Sequence, residues 1–148
     1  MRFRSVIAFV AVIAVALPGC GKSKKPVFPV SGKVMDAKDK PAVGAMVILQ
    51  PVTPDPKDED RASGIVDDSG NFRLTTYEKD DGAPAGEFIV TVIWPAPKMK
   101  PFDPPGTDLL NGTYNAKNSK IRFTVENKPQ NEIPPIKVTV PGPAGAGR

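Results

Sequence analysis

Few side chains in this sequence can do chemistry, and their types decide what chemistry that is. Histidine is absent from all 148 residues. That removes Ser-His-Asp and Cys-His nucleophile systems, His-ligated zinc and imidazole acid-base catalysis. Carboxylates remain: Asp58, Glu59 and Asp60 sit together between two apolar segments, and Glu87 opens a third. Such pairs can protonate a leaving group and activate water on a glycan, provided a cleft holds them and one carboxyl is kept protonated. A chain this short leaves little room for that cleft. The acidic run around Pro54, Asp55, Pro56 and Asp58 to Asp60 offers the oxygen ligands a calcium ion takes, but not at EF-hand spacing. Asp67-Asp68-Ser69-Gly70-Asn71 lacks the downstream bidentate glutamate. Both read as solvated turns, so no catalytic residue, metal or cofactor is expected, and the chain reads as a non-enzyme.

Cys20 is the sole cysteine. It excludes an internal disulfide, and the fold has to be held by burial alone. What precedes it gives it a context: Met1-Arg2-Phe3-Arg4 is positively charged, Val6 to Leu17 is uninterruptedly apolar, and Leu17-Pro18-Gly19-Cys20 closes the run. That order predicts a signal peptide over residues 1–19. The apolar run of 12 residues falls short of the roughly 20 that span a bilayer. The ending Leu17-x-Gly19-Cys20 resembles the lipobox of bacterial lipoproteins, with Pro18 as a less common occupant. The resemblance implies export, acylation of the Cys20 sulfur, cleavage before it and a lipid anchor in an envelope membrane. Each buried CH₂ of such an anchor contributes about 0.8 kcal/mol. Gly21 stands where an aspartate would resemble an inner-membrane retention signal, so the outer membrane or a periplasm-facing site is expected. An ordinary secretory leader with an incidental cysteine is the alternative. Residues 20–29 are expected to form a flexible tether, since Gly21 to Pro26 shows no apolar period.

Bulk charge adds little. The net value of +4 includes Arg2 and Arg4 of the leader, and Lys22, Lys24 and Lys25 form a local run, not a basic face. Nucleic acid is therefore not an expected partner. With 18 prolines and 13 glycines, the chain is punctuated too often for long helices.

The elements that would position these groups are strands. Val30, Gly32 and Val34 alternate with Ser31 and Lys33. Ala45 to Gln50 follows, with apolar residues on both sides: Ala45, Val47 and Leu49 on one, Met46 and Ile48 on the other. Either a loop covers that second side or it is an exposed contact surface. Ala62 to Asp67 and Asn71 to Thr76 form a hairpin about Asp68-Ser69-Gly70, with Ala62, Gly64, Val66, Phe72 and Leu74 inward. Gly86 to Trp94 is apolar on both sides and so central, and proline-rich Pro95 to Pro105 should cross the surface. Ile121 to Glu126 and the strand of Ile136, Val138 and Val140 complete the set, the last confined to an edge or irregular entry by Pro134 and Pro135. Seven strands without an amphipathic helix predict an all-β domain over residues 30–140, an immunoglobulin-like or transthyretin-like sandwich, and a frayed tail over 141–148.

Several segments together, Val30-x-Gly32-x-Val34, Pro41-Ala42-Val43-Gly44-Ala45-x-Val47, Asp68-Ser69-Gly70-Asn71-Phe72-x-Leu74-x-Thr76 and Asp81-Gly82-Ala83-Pro84-Ala85-Gly86-Glu87-Phe88-x-Val90-x-Val92, resemble carboxypeptidase regulatory-like domains. Leu109-x-Asn111-Gly112-x-Tyr114 and Asn131-Glu132-x-Pro134 resemble later parts of small lipoproteins built on that domain. The resemblance implies a transthyretin-like seven-stranded sandwich, used as an accessory or interaction module without catalytic residues. Its matching positions are turn glycines and inward apolar residues, which specify a fold and not a site. The same fold includes a histidine-dependent hydroxyisourate hydrolase family, and a chain without histidine is not expected to share that activity.

Three functions are then in play. The first is a lipid-anchored binding or structural module that contacts an envelope protein or glycan. The second is a subunit of a larger envelope assembly, with Met46, Ile48, Trp94 and the Pro95 to Pro105 crossover as the partner contact. The third, a small carboxylate-dependent glycan-active enzyme, is the least favoured.

Overall fold

The computed structural model describes residues 24–55, 60–97 and 106–141. Ten strands follow in order: β1 (Val27–Phe28), β2 (Val30–Asp36), β3 (Met46–Pro51), β4 (Ser63–Ile65), β5 (Asn71–Arg73), β6 (Ala83–Pro84), β7 (Gly86–Ile93), β8 (Arg122–Val125), β9 (Asn131–Glu132) and β10 (Ile136–Val138). Among the described residues there is no helix. One sheet runs β10-β2-β5, with β9 also on β2; the other runs β4-β3-β7-β8; β1 and β6 form a separate two-stranded pair. The expectation of an all-β sandwich holds, and the seven longer segments are the ones the alternation marks.

The two sheets enclose one apolar core. Val30 and Val34 of β2, Val47 and Leu49 of β3, Phe72 of β5, Phe88, Val90 and Val92 of β7, Val125 of β8 and Ile136 and Val138 of β10 are all buried in it. Period-two geometry accounts for each choice, because alternate residues of a strand face one side. Glycine is required at two inward positions. A Cβ on Gly32 would lie 2.6 Å from the Phe72 ring, and one on Gly64 would lie 2.2 Å from the Arg73 carbonyl oxygen. The second contact lets the β4–β5 hairpin cross from one sheet to the other. The crossing is fastened where Ser63 and Thr75 exchange hydrogen bonds of 3.0 and 2.8 Å.

Several details differ from the sequence reading. Val27–Phe28 pairs with Ala83–Pro84, and the Lys25 amide donates to the Tyr77 hydroxyl at 3.2 Å. Lys25, Val27 and Phe28, inside the span read as tether, therefore already take part in the fold. The strand read as Ala45 to Gln50 runs from Met46 to Pro51, and Pro51 pairs with Phe88. Val140, read as inward, is 45% exposed, because β10 ends at Val138. β9 and β10 both run parallel to β2, interrupted at Pro134-Pro135, as those prolines require. That pairing buries Ile133 and Asn131. Asn131 is satisfied: its Oδ1 accepts from the Glu126 amide at 2.9 Å, and its Nδ2 donates to the carbonyls of Glu126 and Pro29.

Candidate interaction surface

The carboxylates were the candidates for acid-base work, and the structure gives four of the described ones another task. Asp36 accepts the amides of Lys38 and Lys40 at 2.7 and 2.8 Å. Asp67 accepts those of Ser69 and Asn71. Asp81 accepts those of Thr76, Tyr77 and Glu78 at 2.7 to 2.9 Å, and Asp108 accepts those of Trp94, Leu110 and Gly112. Each is a turn clamp, a short side chain satisfying donors that a bend leaves over. The Lys40 amide foremost holds the Asp36 carboxyl below its ordinary range. Partial burial pushes Asp81 up, but its three amide donors outweigh that and leave it lowered. Groups held ionised in this way are poor proton donors.

Asp55, Asp60 and Glu87 do share a hollow of about 340 Å³, with Lys25, beside the end of β3 and the start of β7. All three acidic residues are solvent-exposed, so the burial a general-acid carboxyl needs is missing. Asp58 and Glu59 lie outside the described residues. Among the described residues, no cluster of three or more His, Cys, Asp or Glu is placed to hold a metal ion. Cys20 also lies outside them.

The feature that stands out is the outer face of the β4-β3-β7-β8 sheet. The register sets Met46 opposite Ile65 on one side and opposite Ile93 on the other, so an apolar row crosses three strands. Ile65 is 65%, Ile93 40% and Met46 37% exposed. Ile48 lies two residues along on the same face, half-buried, between Ser63 and Thr91. Thr91 is buried there, with its hydroxyl closed onto the Ile48 carbonyl at 2.9 Å. Of the two readings of the second side of β3, no loop among the described residues buries this row. A larger hollow of about 1230 Å³ follows the outer side of β2 and β5 and turns round β4 to Met46 and Ile65. Its charges balance, with Lys33, Arg73 and Lys79 against Asp67, Asp80 and Glu132.

The three residues expected to form a contact do not lie together. Met46 and Ile48 share the outer face. Trp94 has the parity of Phe88, Val90 and Val92 and packs against the core, and its indole N–H donates to the Val43 carbonyl at 3.0 Å. It seals one end of the sandwich. Ile65 and Ile93 take its place in the row. Their outward parity was readable from the alternation, whereas their alignment with Met46 depends on the pairing register.

No protein-family model matches the sequence, and no curated protein matches it. The resemblance to carboxypeptidase regulatory-like domains thus has no family-level support, and the β-sandwich is what stands. Among solved structures, the chain is similar to a 5-hydroxyisourate hydrolase of Klebsiella pneumoniae, with a TM-score of 0.40 and 16% identity over 80% of this chain and 93% of that one. It is also similar to the major pilin subunit of Bacillus cereus (0.42, 12%, covering 76% and 30%) and a 9R-lipoxygenase of Cyanothece (0.42, 12%, covering 80% and 18%). The chain thus spans less than a third of the pilin and less than a fifth of the lipoxygenase, and likenesses of this extent carry no argument about what it does.

Proposed function

We propose that this chain is a lipid-anchored, non-catalytic binding module of the bacterial envelope, held by acylated Cys20 and acting through one sheet face. The observation that carries the binding role is the uncovered row Ile65, Met46, Ile93. Side chains of this kind, aligned across three strands, are the usual substance of a protein contact. The leader order and the lipobox-like ending support the anchor. The exposed or clamped state of the described carboxylates supports a role without catalysis.

Two measurements test the reading. Mass spectrometry of the amino terminus of membrane-extracted protein is expected to find acylated Cys20 as the first residue. Intact Met1 with a bare thiol would end the anchoring claim. For binding, the full chain and its Ile65→Lys variant are compared for retention of purified envelope glycan and of solubilised envelope proteins, further copies of the chain included. Retention lost with the variant supports the apolar face as the contact; equal retention, or none at all, counts against it.

A further inference from the structure

The apolar row and the point where the chain enters the fold lie at opposite ends of the sandwich. β1 pairs with β6, which leads directly into Gly86 at the start of β7, whereas Ile93, Met46 and Ile65 align at the far end of that strand. The eight residues of β7 separate the two ends by about 23 Å. The described chain is fixed to the entry end as far back as Lys24, whose ammonium sits 5.2 Å from the centroid of the Tyr77 ring, and Lys25, whose amide bonds the Tyr77 hydroxyl. Between Cys20 and Lys24 there are only four peptide steps, a reach of about 14 Å at full extension.

We infer that the row is a self-association surface, and that its occupant is a second copy of this chain anchored in the same membrane. The inference rests on the anchored reading above. A tether this short keeps Lys24 of every copy within about 14 Å of its anchor, so the rows of neighbouring copies can meet at the same level. The strands of the face, antiparallel to one another, lie along the line from the entry end to the row, so a two-fold axis along them leaves both entry ends on the same side, where both anchors can reach lipid. An isologous contact also needs a surface complementary to itself. A row of uncharged Ile and Met side chains is so by composition. Confinement to a plane raises the effective concentration of such copies without any new contact.

The test uses the full chain, expressed with its own leader in a bacterial host and cross-linked in the intact envelope by a short bismaleimide. Met46→Cys, in the middle of the row, is expected to give a band of twice the chain's mass. Its yield should be several-fold above that of Lys33→Cys, which places the thiol on the other sheet's outer face. Adding Ile65→Lys to Met46→Cys is expected to remove the band; Ile93→Ser, a milder change, should weaken it. Equal yields from the two thiol positions would mean random collision and overturn the inference. So would a band at the mass of this chain plus a different protein, or a thiol at position 46 that a soluble maleimide modifies freely with no dimer formed. A thiol there that no maleimide reaches would mean that lipid or the chain itself covers the face, and would also overturn it. Mass spectrometry of Cys20 in the same sample separates the two readings. A bare sulfur sinks the anchor and the common height with it, while an acylated sulfur without dimer sinks self-association alone.

Discussion

The outer faces of the two sheets are built by the same alternation and end in opposite chemistry. On the β10-β2-β5 sheet the outward positions are Ser31, Lys33, Met35, Asn71, Arg73 and Lys137, polar but for Met35, with Lys137 paired to Asp39 at 2.7 Å. On the other sheet they include Ile65, Met46, Ile48 and Ile93. The sheets also differ in what holds them. The apolar-faced sheet has the longest ladder, six residue pairs between β3 and β7. The polar-faced sheet gathers β5, β9 and β10, of two or three residues each, on the seven-residue β2, and side-chain bonds to backbone at Asn131 and in the turns of Asp36, Asp67 and Asp81 support it. The apolar-faced sheet has such bonds too, at Thr91, Ser119 and Asp108, but on the polar-faced sheet they stand beside short ladders alone.

Four measurements probe that contrast. The largest effect is expected across the thickness of β3. Leu49→Ala should destabilise the fold by about 2–5 kcal/mol in denaturant unfolding, for lost burial and a residual cavity. Met46→Ala, three residues away on the opposite side, should stay within about 0.5 kcal/mol. Comparable losses would show that the outer side of the sheet is packed like the inner.

On the polar-faced sheet, Asn131→Ala should cost about 1–3 kcal/mol, because it leaves the Glu126 amide and the Pro29 and Glu126 carbonyls without their side-chain partner. A near-neutral result would mean that water replaces the amide at no cost.

Acid sensitivity should belong to the clamped turns. The folded-state pKa of Asp81 is lowered from 3.8, so its contribution is present in full above that value. It is lost as pH falls through the lower, folded-state value. Asp81→Asn is expected to lose about 1 kcal/mol at neutral pH and to show a flatter decline of stability below pH 4 than the parent. Parallel pH profiles would contradict this. The smallest effect on stability, within about 0.5 kcal/mol, is expected for Ile65→Ser and Arg73→Ser alike. Only the former should reduce binding of an environment-sensitive apolar dye.

Much of this architecture was legible because alternation is a local property. Val47 and Leu49 against Met46 and Ile48, or Val90 and Val92 against Ile89 and Ile93, can be read without knowing any neighbour. What stayed hidden is non-local. Val27–Phe28 and Ala83–Pro84 are too short to show a period and are strands only because they meet. Ile133 and Asn131 are buried by pairing with β2, about a hundred residues earlier in the chain. The apolar row was half visible for the same reason, since Met46 and Ile48 declare themselves but Ile65 and Ile93 join them only through register. Trp94 was set in the contact for its size, although the alternation already gives it the parity of Phe88, Val90 and Val92, the side that packs on the core.

The direction of β10 has a mechanical consequence. Because it lies parallel to β2, chain enters the first of these strands at one pole of the domain and leaves the second at the other. Tension applied between the two poles would load the rungs between β2 and β10 sideways, all at once, so that none could be unzipped singly. A domain strung in that way resists extension best along the line that joins those two poles.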